Sequence, residues 1–335
     1  MPFKTAWLFR NPHFQTIWPA IFRYTSKPVY TRERIELRDG DFIDIDWCGS
    51  NKLNTPLVIL FHGLEGSSDS PYIRGMVKTL VKLGFYCAAV NFRGCSGDLN
   101  RLQRSYHSGA TDDLNEIITL LSERHPDSAL HAIGYSLGGN VLLKWCAETG
   151  NHNPLKAAIA VSVPYRLAVA STTLDSSRFF SRLYRWRLLR SLKSKVLKKI
   201  QLGILKRDAA DIKRINNFYD FDDRVTAPLH GYKDADDYYN RASSYPHLDK
   251  IQIPALLLHA LDDPFMDSRV IPVNIDGNQS IKLELSPNGG HVGFFQPAFN
   301  HTSYWLETRI ADFLKTEIKE EKRKLKEKSP VEGSM

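Results

Sequence analysis

Between residues 56 and 164 the chain alternates short, almost wholly apolar runs with longer segments whose apolar positions recur every three or four residues. The runs are PLVILFHG (56–63), FYCAAVNFRG (85–94), SALHAIGYS (128–136) and LKAAIAVSVP (155–164), and PALLLHALDD (254–263) repeats the pattern later. Each is rich in Val, Ile, Leu or Ala and closes on Gly, Ser, Pro or Asp, as strands do when a parallel sheet is covered on both faces. Between them, PYIRGMVKTLVKLG (71–84) sets Pro71 at a first helical position, and TDDLNEIITLLSERHP (111–126) sets Thr111 as an N-cap before two aspartates. Strand alternating with helix predicts βαβ units and a mostly parallel central sheet flanked by helices. Upstream, ERIELRDGDFIDIDW (33–47) alternates around Asp39-Gly40-Asp41, which predicts an antiparallel hairpin with one solvated face.

The alternation stops near Pro164, and residues 165–247 read as helix and loop without strands. The expected organisation is an N-terminal extension packing on the core (1–32), a first part of the α/β core (33–164), an inserted helical cap (165–247), and a second part of the core (248–318). A charged, disordered tail (319–335) follows the closing helix SYWLETRIADFLKTEI. Within the cap, Phe179, Leu183, Trp186, Leu189, Leu192, Val196 and Ile200 recur at helical steps. They predict one helix with an apolar face over a pocket, leaving Arg178, Arg182, Arg185, Lys193 and Lys199 on its other faces.

Composition changes this picture in three ways. At 335 residues and 42% hydrophobic content the chain can bury a large core. Its net charge of +8 bears on encounter rather than fold, but much of it lies in residues 178–207, where no Asp or Glu occurs. Such a run is either a cap helix with solvated cations or an interfacial helix that meets an anionic membrane; no recognised nucleic-acid-binding fold accompanies it, so nucleic acid is not an expected partner. Four scattered cysteines without a CxxC pair indicate neither a disulfide framework nor a zinc site. With no apolar leader and no run of eighteen apolar residues, a cytoplasmic protein is expected.

The chemistry sits in HAIGYSLGGN (131–140), where an apolar run turns into a helical pattern through Gly134-Tyr135-Ser136-Leu137-Gly138. GxSxG at a strand-to-helix turn presents the serine hydroxyl over the sheet as a nucleophile, and the expected chain order continues with an acid and then a histidine. Asp262 and Asp263 end one buried run, and His291 lies in the glycine-rich LELSPNGGHVGF (283–294). Asp263 precedes Pro264 at the strand exit and is the expected orienting acid; by the period of two, Asp262 faces the other side. Backbone N–H groups of Leu64, in HGLEGSS, and Leu137 are the expected oxyanion donors. His107 precedes the serine and breaks the order, so it reads as structural or pocket-lining, while His62 and His259 read as locally satisfied. Arg93 either meets a substrate carboxylate or, as the favoured reading, is structural and pairs with Asp98, and Cys95 reads as a packing residue. GLEGSSDSP lacks the P-loop lysine and HGLEGS lacks GxGxxG, so neither an NTPase nor a dinucleotide enzyme is indicated, and no metal or organic cofactor is expected.

NPHFQTIWP (11–19), FHGLEGSSDSPYIRG (61–75), NFRGCSG (91–97), YHSG (106–109), GYSLGGN (134–140), FDDRVTAPLHGYKDADDYY (221–239), HALDDPFM (259–266) and GGHVGF (289–294) carry a more specific resemblance. With these strings the chain resembles the α/β-hydrolase superfamily and, within it, the AB hydrolase-4 carboxylesterases of bacterial YheT type. The resemblance implies an α/β-hydrolase fold and a Ser-Asp-His triad falling on Ser136, Asp263 and His291. It also implies hydrolysis of a small-molecule or lipid ester. Thioester cleavage or acyl transfer on the same triad, and a catalytically silent binding protein, are the alternatives.

Overall fold

A computed structural model describes residues 2–23, 25–273, 275, 277–297 and 302–328. Eight strands form one sheet: β1 (Thr31–Glu36), β2 (Phe42–Cys48), β3 (Leu57–Phe61), β4 (Tyr86–Asn91), β5 (Leu130–Tyr135), β6 (Leu155–Val161), β7 (Ala255–Ala260) and β8 (Ile281–Ser286). Their spatial order is β1-β2-β4-β3-β5-β6-β7-β8. The β1–β2 and β2–β4 pairs are antiparallel and the pairs from β4–β3 to β7–β8 are parallel. From β3 the chain first adds β4 on one side and then returns to add β5 on the other, so the strand order reverses between β3 and β5. That reversal is where an open α/β sheet leaves a crevice at its carboxyl edge.

The apolar runs become strands because both of their faces are covered. Every residue of β3, β5 and β7 is buried, and alternate positions of β3 feed two cores. Leu57, Ile59 and Phe61 pack with Ile117 and Leu142, whereas Val58 and Leu60 pack with Met76 and Ile310. The covering helices are α2 (Pro71–Lys82), α3 (Thr111–Arg124) and α4 (Leu137–Thr149), preceded by α1 (Pro12–Phe22). Thr111 proves to be the first residue of α3 and not its cap; Ala110 holds that position with no side-chain hydrogen bond. The β1–β2 hairpin forms as expected, but β2 is buried along nearly its whole length. Its aspartates are covered because Arg34 reaches across to Asp44 and Arg32 to Asp46, each at 2.8 Å.

Between β6 and β7 the chain is helical, with no strand among the described residues: α5 (Leu167–Leu174), α6 (Phe179–Gln201), α7 (Ala209–Arg214), α8 (Phe218–Phe221), α9 (Ala227–Leu229) and α10 (Ala235–Ala242). This segment has its own apolar cluster, including Leu189, Val196, Ile212 and Phe218. The α6 stripe differs from expectation. Phe179, Leu183 and Trp186 are exposed, and Tyr184 and Lys199 are buried in their stead. Lys199 tolerates burial because its ammonium donates to the carbonyls of Leu102 and Arg104, both at 2.8 Å, and of Gln103 at 3.2 Å. The closing helix α11 runs from Trp305 to Lys328, so residues 319–328 are helical where a disordered tail is expected. KEEKRKLKEK is made of strong helix formers, and Lys156 pairs with Glu321 at 3.3 Å. Residues 329–335 lie outside the described residues.

Arg93 organises the loop beside the crevice. Its guanidinium is buried against Asp113 at 2.6 Å and Asp41 and Asp39 at 2.9 Å. Asp98, the partner expected from sequence, pairs with Arg34 at 2.6 Å. Removing one member of a buried ion cluster strands the rest without compensation. Arg93→Met therefore lowers unfolding free energy by about 3–5 kcal/mol in urea denaturation; a loss below about 1 kcal/mol, the scale of an exposed pair, rules the role out.

Candidate active site

β5 ends at Tyr135 and α4 begins at Leu137, leaving Ser136 alone at φ 51°, ψ −118°. A non-glycine residue held there costs about 1–3 kcal/mol and persists only where its surroundings over-determine it. Here the Ser136 amide donates to Val161 O at 2.8 Å. Two glycines let the backbone close in: a Cβ on Gly134 would stand 2.6 Å from Gly138 O, and one on Gly138 would stand 2.5 Å from His62 O.

Loops after β7 and β8 reach the same point. His291 Nε2 is 3.0 Å from Ser136 Oγ, and His291 Nδ1 is 2.8 Å from Asp263 Oδ2. The second oxygen of Asp263 accepts the Phe265 amide at 2.9 Å, and the Phe265 ring stacks on the imidazole with centroids 4.1 Å apart. Asp262 does not simply face away. It accepts the Gly290 amide at 2.9 Å and Asn288 Nδ2 at 3.2 Å, gripping the loop that carries His291.

Further supports come from residues that sequence reasoning left unassigned. The His291 amide donates to Thr16 Oγ1 of α1 at 2.9 Å, and the Val292 amide to Ser162 Oγ at 3.0 Å. Gln15, fully buried, accepts the Phe295 amide at 2.7 Å. Asn11 caps α1 by accepting the His13 and Phe14 amides at 2.9 and 3.0 Å. The signal for Asn11, Gln15 and Thr16 was the string NPHFQT, which the helical period alone does not decode; Ser162 stands at the end of the β6 run.

The loop after β3 is fixed on both sides of Leu64. The Gly63 amide donates to Tyr72 Oη at 2.9 Å and the Glu65 amide to Tyr106 Oη at 2.7 Å. Among the described residues the Leu64 and Leu137 amides have no acceptor. Glu65, at φ 55° and with its side chain covered, also accepts from Lys195 Nζ at 2.8 Å and from the Ser191 hydroxyl, tying α6 to this loop.

Ser136 and His291 line a cavity of about 770 Å3, walled on its apolar side by Leu64, Leu167, Leu174, Phe218, Phe221 and Val225. His107 and His230 also line it, with rings 4.1 Å apart. Burial holds both imidazoles below their ordinary pKa, His230 at about 4. His62 is satisfied by Gly63 O at 2.7 Å and the Phe92 amide at 3.1 Å. His259, expected to be satisfied, has no partner for Nδ1 among the described residues, and burial depresses it to about 4. Cys95 packs with its sulfur 3.2 Å from Lys195 Nζ, and burial pushes the thiol up to about 11.

The fold has counterparts elsewhere. A sequence model described as the alpha/beta hydrolase fold matches residues 56–298. The chain belongs to that family. Within the α/β-hydrolases it is 41% identical to "Putative esterase YheT" of Escherichia coli, over 92% of this chain and 91% of that one. It is 30% identical to human "Phospholipase ABHD3" over 94% of this chain and 79% of that one. Among solved structures the Pyrococcus furiosus esterase Pf2001 superposes with a TM-score of 0.55 at 16% identity, covering 86% of this chain and 92% of that one. At that identity the match speaks for the fold alone. No described helix is long and apolar enough to cross a membrane.

The cavity wall also holds a half-buried acid, Asp222, in the turn Asp222–Thr226. It accepts Thr226 Oγ1 at 2.7 Å and Tyr239 Oη at 2.9 Å, and with no cation beside it burial pushes its carboxyl from 3.8 up to about 7. A pKa raised in the folded state favours the protonated form, so its stabilisation is full below about pH 4 and is lost as pH rises through about 7. The melting temperature of the wild type relative to Asp222→Asn accordingly falls across that window and levels off above it. A difference independent of pH, followed by differential scanning fluorimetry, refutes the assignment.

Proposed function

We propose that this protein is a serine hydrolase that cleaves carboxylic esters through an acyl-enzyme. The observation that carries the reading is the unbroken contact from Ser136 Oγ through His291 to Asp263, at 3.0 and 2.8 Å, beside two unengaged amides. His291 Nε2 takes the Ser136 proton as Oγ attacks the ester carbonyl, and Asp263 holds the tautomer and steadies the imidazolium. The Leu64 and Leu137 amides receive the carbonyl oxygen as it gains charge. The alcohol leaves with the proton from His291; water then adds by the same route and releases the acid and free Ser136.

Relatives named as an esterase, a phospholipase and, in Saccharomyces cerevisiae, a monoacylglycerol lipase support an ester substrate with an apolar acyl part, which the cavity walls suit. The same groups would serve thioester cleavage or acyl transfer, which differ only in the leaving or accepting group. Four free cysteines fit a reducing, cytoplasmic setting. Contact with an anionic membrane belongs to this reading as the way a lipid ester is reached.

Ser136→Ala lowers turnover of a short-chain nitrophenyl ester by about four to six orders of magnitude and abolishes fluorophosphonate labelling without unfolding the protein. Retention of a tenth of the activity in a clean preparation, or absence of labelling in the wild type, overturns the mechanism. In a panel, acyl thioesters turned over faster than matched esters would replace the substrate class.

The neighbouring aspartates separate in a second experiment. Asp263→Asn costs about four orders in turnover by leaving the wrong imidazole tautomer. Asp262→Asn costs much less, since an amide oxygen still accepts the Gly290 N–H. The reverse ranking in steady-state kinetics would exchange their roles.

A further inference from the structure

The two longest stretches of this chain that contain no Asp or Glu, residues 1–32 and 176–207, meet in space. The ring of His13 on α1 stacks on Phe180 of α6 with centroids 3.7 Å apart, and its Nδ1 lies 3.0 Å from Tyr184 Oη. Around this junction large apolar side chains face solvent. Trp7 and Phe179 are 74% and 75% exposed, and Leu8, Ile21, Phe22 and Trp186 are exposed with them. Burying such residues in a protein core would need a covering element, and no described element covers them.

The cations beside them are free. Arg10, Arg178, Arg182 and Lys198 have no ion-pair or hydrogen-bond partner for their side chains among the described residues. A groove of about 1120 Å3 runs along the outer side of α6 toward α7. Leu183 and Leu197 line it together with Arg182, Lys198, Lys213 and Arg214, and no carboxylate does. The opening of the catalytic cavity lies on the same side, since Ala20 of α1 and Trp186, Arg187 and Arg190 of α6 both line that cavity and are exposed.

We propose that this face, built jointly by α1 and the exposed side of α6, docks the protein on the surface of an anionic phospholipid bilayer, with the cavity opening toward the lipid. Aromatic and aliphatic side chains enter the headgroup boundary while guanidinium and ammonium groups meet lipid phosphates. Charge complementarity selects this occupant. A second copy of the chain would bring like charge against like charge, and a nucleic acid would leave the exposed Trp, Phe and Ile side chains unused. The proposal deepens the ester-hydrolase reading, since it names where a lipid ester is met, yet the docking itself needs no catalysis.

The experiment is cosedimentation of the full chain with vesicles of phosphatidylcholine alone or mixed with phosphatidylglycerol. Binding is expected to the mixed vesicles at low salt, with release at high salt and weak binding to phosphatidylcholine alone. Combining Arg10→Gln, Arg178→Gln, Arg182→Gln and Lys198→Gln lowers the partition coefficient on the order of a thousandfold, from about 1 kcal/mol per basic residue. None of these four lines the catalytic cavity, so hydrolysis of a soluble short-chain ester stays unchanged in the same preparation. Trp7→Ser with Phe179→Ser weakens binding while leaving its salt dependence intact. Ser136→Ala binds vesicles as the wild type does, so a failure of the catalytic reading does not mimic a failure of docking. Equal binding to both vesicle types, no binding to either, undiminished binding by the fourfold charge variant, or binding to duplex DNA in place of vesicles overturns the proposal.

Discussion

The turn between β5 and α4 brings its backbone closer to the end of β3 than any side chain would allow. Gly134 and Gly138 leave that space empty, and with a Cβ at either position the start of α4 would be pushed off carbonyl oxygens 2.5 to 2.6 Å away. The proposed nucleophile and one proposed oxyanion donor are consequences of this single approach. Ser136 is the residue forced into the strained turn, and Leu137 is the first residue of the helix that follows, where an amide has no intrahelical acceptor. The strain is sustained because the strands around it cannot yield: β5 and β3 are buried at every position and paired to each other in register. Moving Ser136 to a relaxed backbone would break both the register and the packing of two cores.

Holding one residue is not enough, because the other two members of the contact chain arrive on loops. Loops over a rigid sheet normally fluctuate more than the sheet does. Here the loops that carry His291 and Leu64 are fastened by groups that take no part in the proposed chemistry. The His291 loop hangs from Asp262, Ser162 and Thr16. The Leu64 loop hangs from Tyr72 and Tyr106. Thr16 belongs to α1, and Glu65 is gripped by Lys195 and Ser191 of α6, so the N-terminal helix and the helical segment between β6 and β7 are structural parts of the site. A displacement of α6 would reach the Leu64 amide through Glu65, its chain neighbour.

What could be read from the chain divides along the same line. The buried strands are visible as apolar runs because burial on both faces is a local property of each run. The spacing of Ser136, Asp263 and His291 was readable because the first two stand where such runs end and His291 lies in a glycine-rich loop after the next strand, β8. Features set by distant partners were not. β2 loses its solvated face because Arg32 and Arg34 neutralise its aspartates from the neighbouring strand. Lys199 goes inside because three carbonyls of a loop about a hundred residues earlier receive it. The stripe on α6 shifts toward Tyr184, which packs on Phe265 at 4.8 Å, and that contact joins segments eighty residues apart. Periodicity records which positions are apolar; it does not record which of several apolar faces finds a partner.

The ionisation pattern follows from burial in the same way. His107 and His230, which line the cavity, and His62 and His259, which do not, are all pushed below the ordinary histidine range, and Asp222 of the cavity wall is pushed above the ordinary carboxylate range. This matters most for His259, which is close enough to Asp263 to feel its charge yet stays unprotonated because desolvation outweighs that attraction. A protonated imidazole there would compete with His291 for the Asp263 carboxylate. Keeping it neutral reserves the charge of Asp263 for the one imidazole that must become positive in the proposed acyl transfer, and the burial that stabilises β7 thereby also sets the electrostatics of its carboxyl end.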